Sequence, residues 1–158
     1  MRWLSRSRQS DSAGPPAGKQ ELLEAIAGGL EQVGVPHRRG GKTDIGIEET
    51  FVDAGWGSGR KRITYQAAIL ADEDARTVWM WEKTTEATKG LSFGAGAESH
   101  FQSGRTLFRK VKGVHRGLDG STREYSVDLG AIVKAVRDAA VQGGWRLKTV
   151  LNRSRAEY

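Results

Sequence analysis

Apolar residues recur three or four positions apart in two segments of the chain, which predicts two amphipathic helices. The first helix is predicted over 19–33 and ends before Gly34, a residue type common just after the last helical turn. The second is predicted over 128–142, with Asp128 as its N-cap. The apolar stripes are Leu22, Leu23, Ile26, Leu30 and Val33 in the first helix and Leu129, Ile132, Val133, Val136 and Ala140 in the second.

Two adjacent glycines, Gly28 and Gly29, lie in the middle of the first predicted helix. Glycine inside a helix costs about 1 kcal/mol relative to alanine, so the pair weakens the prediction on propensity alone. Close packing against another element is the condition that would favour residues without a side chain here.

Between and after the helices, apolar and polar residues alternate, which is typical of β-strands. The pair Asp119-Gly120 is typical of a hairpin turn. The competing interpretation is a capping box, Ser121-x-x-Glu124, that starts a helix early. We prefer the hairpin, because weak helix formers follow this segment. The predicted strands are 44–53, 61–71, 76–85, 105–115, 122–127 and 145–151.

The predicted order is helix, five-strand meander, helix, strand. This order indicates an α+β fold, with a single antiparallel meander sheet of about five to six strands and two amphipathic helices packed on one face. The opposite face is then open to solvent or to a partner. We expect a disordered basic tail over 1–18, a single domain over 19–151 and a C-terminal tail over 152–158.

The composition excludes several classes of protein. The chain has 158 residues, which favours one domain, and no cysteine, which excludes disulfides, cysteine-ligated metals and cysteine nucleophiles. A cysteine-free chain fits a reducing compartment, so we expect a cytoplasmic protein. No apolar run approaches the ~20 residues of a membrane span.

A net charge of +6 favours anionic partners, although mild positive charge also serves solubility. The segment 105–116 contains no acidic residue, and Phe108 shares a strand face with Lys110 and Lys112. An aromatic between cations on an open sheet is typical of single-strand nucleic-acid binders, so nucleic-acid binding is an alternative hypothesis. Charged residues on a solvated strand face produce the same pattern.

Two glycine-rich loops are expected at one end of the sheet, because alternate connections of a meander share an end. They are 54–60 and 86–104. The second loop is far longer than the ~4–6 residues typical of compact domains, and it carries Leu91, Phe93 and Phe101. Such loops are often lids or binding loops; the alternative is that the aromatic rings fill the core.

The leading hypothesis is therefore a non-catalytic binding module for a protein or a small anionic ligand, using these two loops. No convergent set of acid and base residues is present, and we expect no cofactor and no metal. The predicted ligand-binding residues are Trp56, Lys61, Phe93, His100 and Arg105.

Motifs of catalysis and phosphate binding match only in part. The run 90–94 fits G-x-S-x-G, which makes a small hydrolase around Ser92 and His100 a second alternative, but that motif requires a parallel sheet with a helix after the serine. The run 41–43 resembles the end of a P-loop, yet Pro36 stands where the first glycine is needed. The three histidines lack the spacing of metal ligands.

Overall fold

The computed structural model describes the backbone of residues 15–53, 60–89, 110–116 and 122–158, and the side chains of 15–51, 62–85 and 127–158. The helices are α1 (Lys19–Val33) and α2 (Leu129–Gln142). A 3₁₀ turn, Arg153–Ala156, follows the last strand. The strands are β1 (Arg38–Arg39), β2 (Ile45–Asp53), β3 (Arg60–Asp72), β4 (Thr77–Lys89), β5 (Lys110–Arg116), β6 (Thr122–Asp128) and β7 (Arg146–Val150).

The main sheet has five strands in the order β1-β2-β3-β4-β7. Strands β2, β3 and β4 form the predicted antiparallel meander, and the β3–β4 pairing runs from Asp72 opposite Thr77 to Arg60 opposite Lys89. The predicted α+β class is confirmed, with two helices and one sheet of five strands.

The last strand corrects the prediction of a purely antiparallel sheet. Strand β7 pairs with β4 in parallel, with Thr77 opposite Arg146 and Trp81 opposite Val150. Helix α2 explains the direction, because its C-terminal end lies beside the β3–β4 turn, where the Arg146 amide donates to the Arg76 carbonyl at 3.0 Å. The chain therefore re-enters the sheet at the beginning of β4 and runs along it in the same direction.

The predicted five-strand meander was wrong in its fourth and fifth strands, which do not join the main sheet. Strands β5 and β6 pair with each other, from Lys110 opposite Asp128 to Arg116 opposite Thr122, and form a separate two-stranded sheet. The predicted strand after this connection is thus confirmed over the competing helix, while the Asp119-Gly120 turn lies outside the described residues. β5 cannot extend the meander along the first part of β4, because β3 and β7 already occupy both edges of Thr77–Trp81.

Both helices pack on one face of the main sheet, as predicted. Odd-numbered residues of β2 and β3, such as Ile45 and Ile69, and even-numbered residues of β4, such as Met80, join the helix stripes in one core. The Asp128 side chain caps α2 by accepting from the Gly130 amide at 2.9 Å. Neither described helix is long and apolar enough to cross a membrane.

The opposite face, which we name the outer face, is partly covered rather than open. It carries the even-numbered residues of β3 and the odd-numbered residues of β4. The 3₁₀ turn lies on it, where Ala156 is fully buried against Ala68 and Trp81. The C-terminal segment 152–158 therefore covers part of the outer face.

The residues just before α1 and just after α2 meet beside the β3–β4 turn. The carbonyl of Ala17 accepts from the Arg76 guanidinium at 2.7 Å and from the Trp145 indole at 2.9 Å. Arg76 also lies over the Trp145 ring, 5.0 Å from its centre. These contacts hold the start of α1 against the end of α2.

The two central glycines of α1 have different surroundings. A Cβ atom at Gly29 would lie 3.3 Å from the Cβ of Ala135 on α2, which is tighter than ordinary van der Waals contact. A Cβ atom at Gly28 would meet nothing within 4 Å. Only Gly29 is therefore explained by close helix packing.

This difference predicts opposite results for two adjacent substitutions. Gly28→Ala should stabilise the protein by about 0.5–1 kcal/mol, because it raises helix propensity without a clash. Gly29→Ala should lose that gain or destabilise the protein, because α1 and α2 must separate slightly. Denaturant unfolding of the two variants checks this, and equal shifts would contradict the packing role of Gly29.

Candidate functional site

The structure describes little of the site predicted from the sequence. Trp56, Phe93, His100 and Arg105 lie outside the described residues, as do the hydrolase candidates around Ser92. Only the backbone of Lys61 is described; it pairs with Asp53 on one side and Thr88 on the other. The five predicted ligand-binding residues therefore remain a prediction.

The strands that border the two predicted loops nevertheless end together. Asp53 lies opposite Lys61, and Arg60 lies opposite Lys89. Strand β4 continues to Lys89, so residues 86–89, placed in the predicted loop, belong to the strand. The basic segment of the nucleic-acid hypothesis lies partly in β5, whose side chains are outside the described set.

A pocket of about 410 Å³ lies at the other end of β2, on the outer face. Its floor includes Glu48 of β2 and Gln66 of β3. One wall is the segment 38–43, and the other is formed by Arg153 and Glu157 of the C-terminal segment. We refer to this feature as the cationic pocket.

A glycine turn shapes the first wall. Gly40 and Gly41 have φ angles of 83° and 96°, in the left-handed region that favours glycine. The Gly40 amide donates to the Asp44 carbonyl at 3.0 Å, which closes the turn between β1 and β2. The turn thereby places Arg39 before it and Lys42 after it along the same pocket.

The cations of the pocket differ in their partners. Arg38 lies 3.8 Å from Glu48, and Arg153 lies 2.6 Å from Glu157. Arg39 and Lys42 are exposed, and no acidic group of the described residues lies within salt-bridge distance of either. The pocket therefore has an excess of positive charge on the glycine-turn wall.

Arg153 is held in place from two sides. Its guanidinium lies over the indole ring of Trp81, 5.1 Å from the ring centre, while Glu157 accepts from its Nε. Trp81 itself is buried under the 3₁₀ turn. A guanidinium stacked on an aromatic ring and paired with a carboxylate loses little further freedom when a ligand binds.

The two walls are joined by a polar network around Asp44, whose side chain is 8% exposed. One carboxylate oxygen accepts from the Ala71 amide at 2.8 Å and lies 3.1 Å from the Lys19 ammonium. The other accepts from the Tyr158 hydroxyl. Lys19 also donates to that hydroxyl at 2.9 Å, so three side chains are mutually bonded.

Backbone contacts strengthen the same junction. The Tyr158 amide donates to the Lys42 carbonyl at 2.8 Å. The hydroxyl of Thr43 lies 2.8 Å from the carbonyl oxygens of both Ile69 and Ala156, and its one proton serves either. The glycine-turn wall and the C-terminal wall are thus bonded to each other and to the end of β3.

The pKa of Lys19 is set by its burial and by its bonds to the other members of this network. Burial acts to lower it, but the hydrogen bonds to Tyr158 and Asp44 and the negative charge of Asp44 outweigh burial, so the pKa is raised above 10.5. The charged form is therefore favoured by folding. This contribution to stability is present below pH 10.5 and is lost as the pH rises through the raised pKa.

A second buried polar pair lies on the helix-covered face. The Tyr65 hydroxyl donates to Glu82 at 2.9 Å, and both residues are buried. Burial raises the pKa of Tyr65 well above 10, and the negative charge of Glu82 and the hydrogen bond to it act in the same direction. A phenol held protonated in this way is a poor general base, which indicates a structural role.

No group of three or more potential metal ligands occurs among the residues that the structure describes.

The sequence analysis missed the cationic pocket because it considered Gly41-Lys42-Thr43 only as part of a P-loop. The run Arg38-Arg39-Gly40-Gly41-Lys42 is the signal that marks its first wall. Nothing in the sequence placed Arg153 opposite that run.

Comparison of the chain with protein-family models, with curated proteins and with solved structures found no match. The function proposed below therefore depends on the geometry and charge of the described residues.

Removing the Asp44 carboxylate should destabilise the protein. Asp44→Ala leaves the Ala71 amide, the Tyr158 hydroxyl and the Lys19 ammonium without their shared acceptor, so we expect the free energy of unfolding to fall by about 2–4 kcal/mol. Asp74→Ala is the control, because Asp74 is an exposed turn residue. Denaturant unfolding measures both; a loss within about 0.5 kcal/mol for Asp44→Ala would contradict the role of the network.

Stability should also decline above about pH 10. Unfolded tyrosine ionises near pH 10, whereas folded Tyr65 stays protonated, so the unfolded state releases the proton first and stability falls as pH rises. Unfolding measured from about pH 8 to about pH 11 should show a shallower decline in Tyr65→Phe than in the wild type. Identical slopes would show that Tyr65 titrates normally in the folded protein.

Proposed function

We propose that this chain is a non-catalytic binding module that holds an anionic ligand in the cationic pocket. The observation that carries the proposal is the presence of two cations, Arg39 and Lys42, that line the pocket and have no acidic partner among the described residues. The proposal keeps the class of function predicted from the sequence. A cytoplasmic location is part of it, since a cysteine-free chain suits a reducing compartment.

The electrostatics of the pocket favour an anion. The two carboxylates that line the pocket, Glu48 and Glu157, lie beside Arg38 and Arg153 and offset their charge. The charge of Arg39 and Lys42 is left to attract a ligand. Arginine and lysine side chains bind phosphate and carboxylate groups through charge-assisted hydrogen bonds.

The size of the pocket favours a small ligand over a protein segment. Its volume of about 410 Å³ lies within the range of small-molecule sites, near the lower end. Its walls are held to each other by the Asp44 network, so the pocket is largely formed before the ligand binds. A preformed site of this size limits the conformational entropy lost on binding.

The loop end of the sheet is a separate proposed contact. It lies at the opposite end of β2, where Asp53 is five residues, or roughly 17 Å, along the strand from Glu48 of the pocket. The five residues predicted there would contact a different part of a partner or a second ligand. Support for a ligand at the cationic pocket does not depend on them.

Inorganic phosphate should stabilise the protein at constant ionic strength. The expected gain follows RT ln(1 + [L]/Kd) and reaches about 2.7 kcal/mol when phosphate is 100-fold above its Kd. The double variant Arg39→Gln/Lys42→Gln should lose this gain, because it removes both unpaired cations. Thermal unfolding in phosphate and in chloride of equal ionic strength measures the effect.

A matched double variant separates the pocket from general charge. Arg137→Gln/Arg155→Gln removes the same two charges from exposed positions that do not line the pocket. It should keep the response to phosphate. An equal loss of response in both double variants, or no response in the wild type, would contradict the proposed function.

A further inference from the structure

The floor of the cationic pocket differs in chemistry from its glycine-turn wall. Glu48 and Gln66 contribute a carboxylate and an amide, whereas the wall contributes Arg39 and Lys42. Gln66 is half-buried, and its side chain has no hydrogen-bond partner within the described part of the chain. A half-buried amide keeps access to the pocket, so both its NH₂ group and its oxygen are available to a ligand.

The charge of the glycine-turn wall indicates which anionic group fits it best. The two unpaired cations carry a total charge of +2, from Arg39 and Lys42. A phosphate monoester carries about −1.5 to −2 at pH 7, whereas a single carboxylate carries about −1. Phosphate therefore matches the wall better, and its several oxygens accept from an ammonium and a guanidinium at once.

The floor groups define the rest of the ligand. The carboxylate of Glu48 only accepts hydrogen bonds, and the Gln66 amide both donates and accepts. Hydroxyl groups suit both, because each hydroxyl is a donor and an acceptor. An apolar group at this position would instead leave the Gln66 amide without a bond in a desolvated site.

We infer that the cationic pocket binds a phosphorylated polyhydroxy compound, a sugar phosphate or a nucleotide, with the phosphate at Arg39 and Lys42 and the hydroxyls at Gln66 and Glu48. This inference rests on the proposed function and specifies its ligand. The volume of about 410 Å³ accommodates a phosphate joined to a single sugar ring.

Calorimetric titration of the intact chain with ribose 5-phosphate, inorganic phosphate and ribose tests the inference. Ribose 5-phosphate should bind about tenfold more tightly than inorganic phosphate, the gain expected of one added hydrogen-bonding group, and ribose most weakly. Adenosine 5′-monophosphate distinguishes the two sources of this chemistry. Tighter binding of either phosphorylated compound than of phosphate supports the inference, and the tighter of the two identifies the source.

The variant Gln66→Ala should reduce the advantage of ribose 5-phosphate, leaving only the contact with Glu48, and should leave the affinity for inorganic phosphate unchanged. Thr64→Ala is the matched control, because Thr64 lies on the same face of β3, two residues away, and does not line the pocket. It should preserve the advantage. Circular dichroism of each variant confirms that the fold is intact.

The outcomes distinguish the inferred class of ligand from the proposed anion-binding function. Binding of both ribose 5-phosphate and adenosine 5′-monophosphate no tighter than binding of inorganic phosphate would overturn the inference and leave the proposed function standing. A Gln66→Ala variant that weakens inorganic phosphate as strongly as ribose 5-phosphate would also overturn it, because Gln66 would then contact the phosphate. Failure of every phosphorylated probe to bind would reject the proposed function itself.

Discussion

The buried carboxylate of Asp44 holds together segments that are far apart along the chain. It accepts from the Ala71 amide at the end of β3 and from the hydroxyl of Tyr158, and it pairs with Lys19 at the start of α1. A carboxylate this deeply buried is tolerated because each of its oxygens has a partner. The same bonds bring the glycine turn and the C-terminal segment to opposite sides of one pocket.

The two faces of the main sheet differ in chemistry. The helix-covered face contains the apolar core, where the polar pair of Tyr65 and Glu82 is fully enclosed. The outer face carries cations stacked on aromatic rings, with Lys148 over Trp79 and Arg153 over Trp81. Since the core supplies the stability, the outer face can keep exposed charges such as Arg39 and Lys42 without acidic partners.

Local patterns predicted the elements well because each depends on neighbours in sequence. The stripe of α1, the Asp128 cap of α2 and the alternation in β2 to β4 all appear at the predicted positions. The predictions of the partner of β5 and of the direction of β7 were wrong for the same reason. Strand pairing depends on which sheet edge is free in space, and the alternation of side chains is the same in either case.

The sequence by itself determined the α+β class, both helices, the central meander and the positive charge that favours an anionic ligand. It also contained the run Arg38-Arg39-Gly40-Gly41-Lys42, although the run has no partner within its own segment. Only the tertiary structure placed Arg153 and Gln66 beside that run, more than 100 and more than 20 residues away in sequence. Contacts of that range come from sheet register and from the Asp44 network, and no periodicity along the chain encodes them.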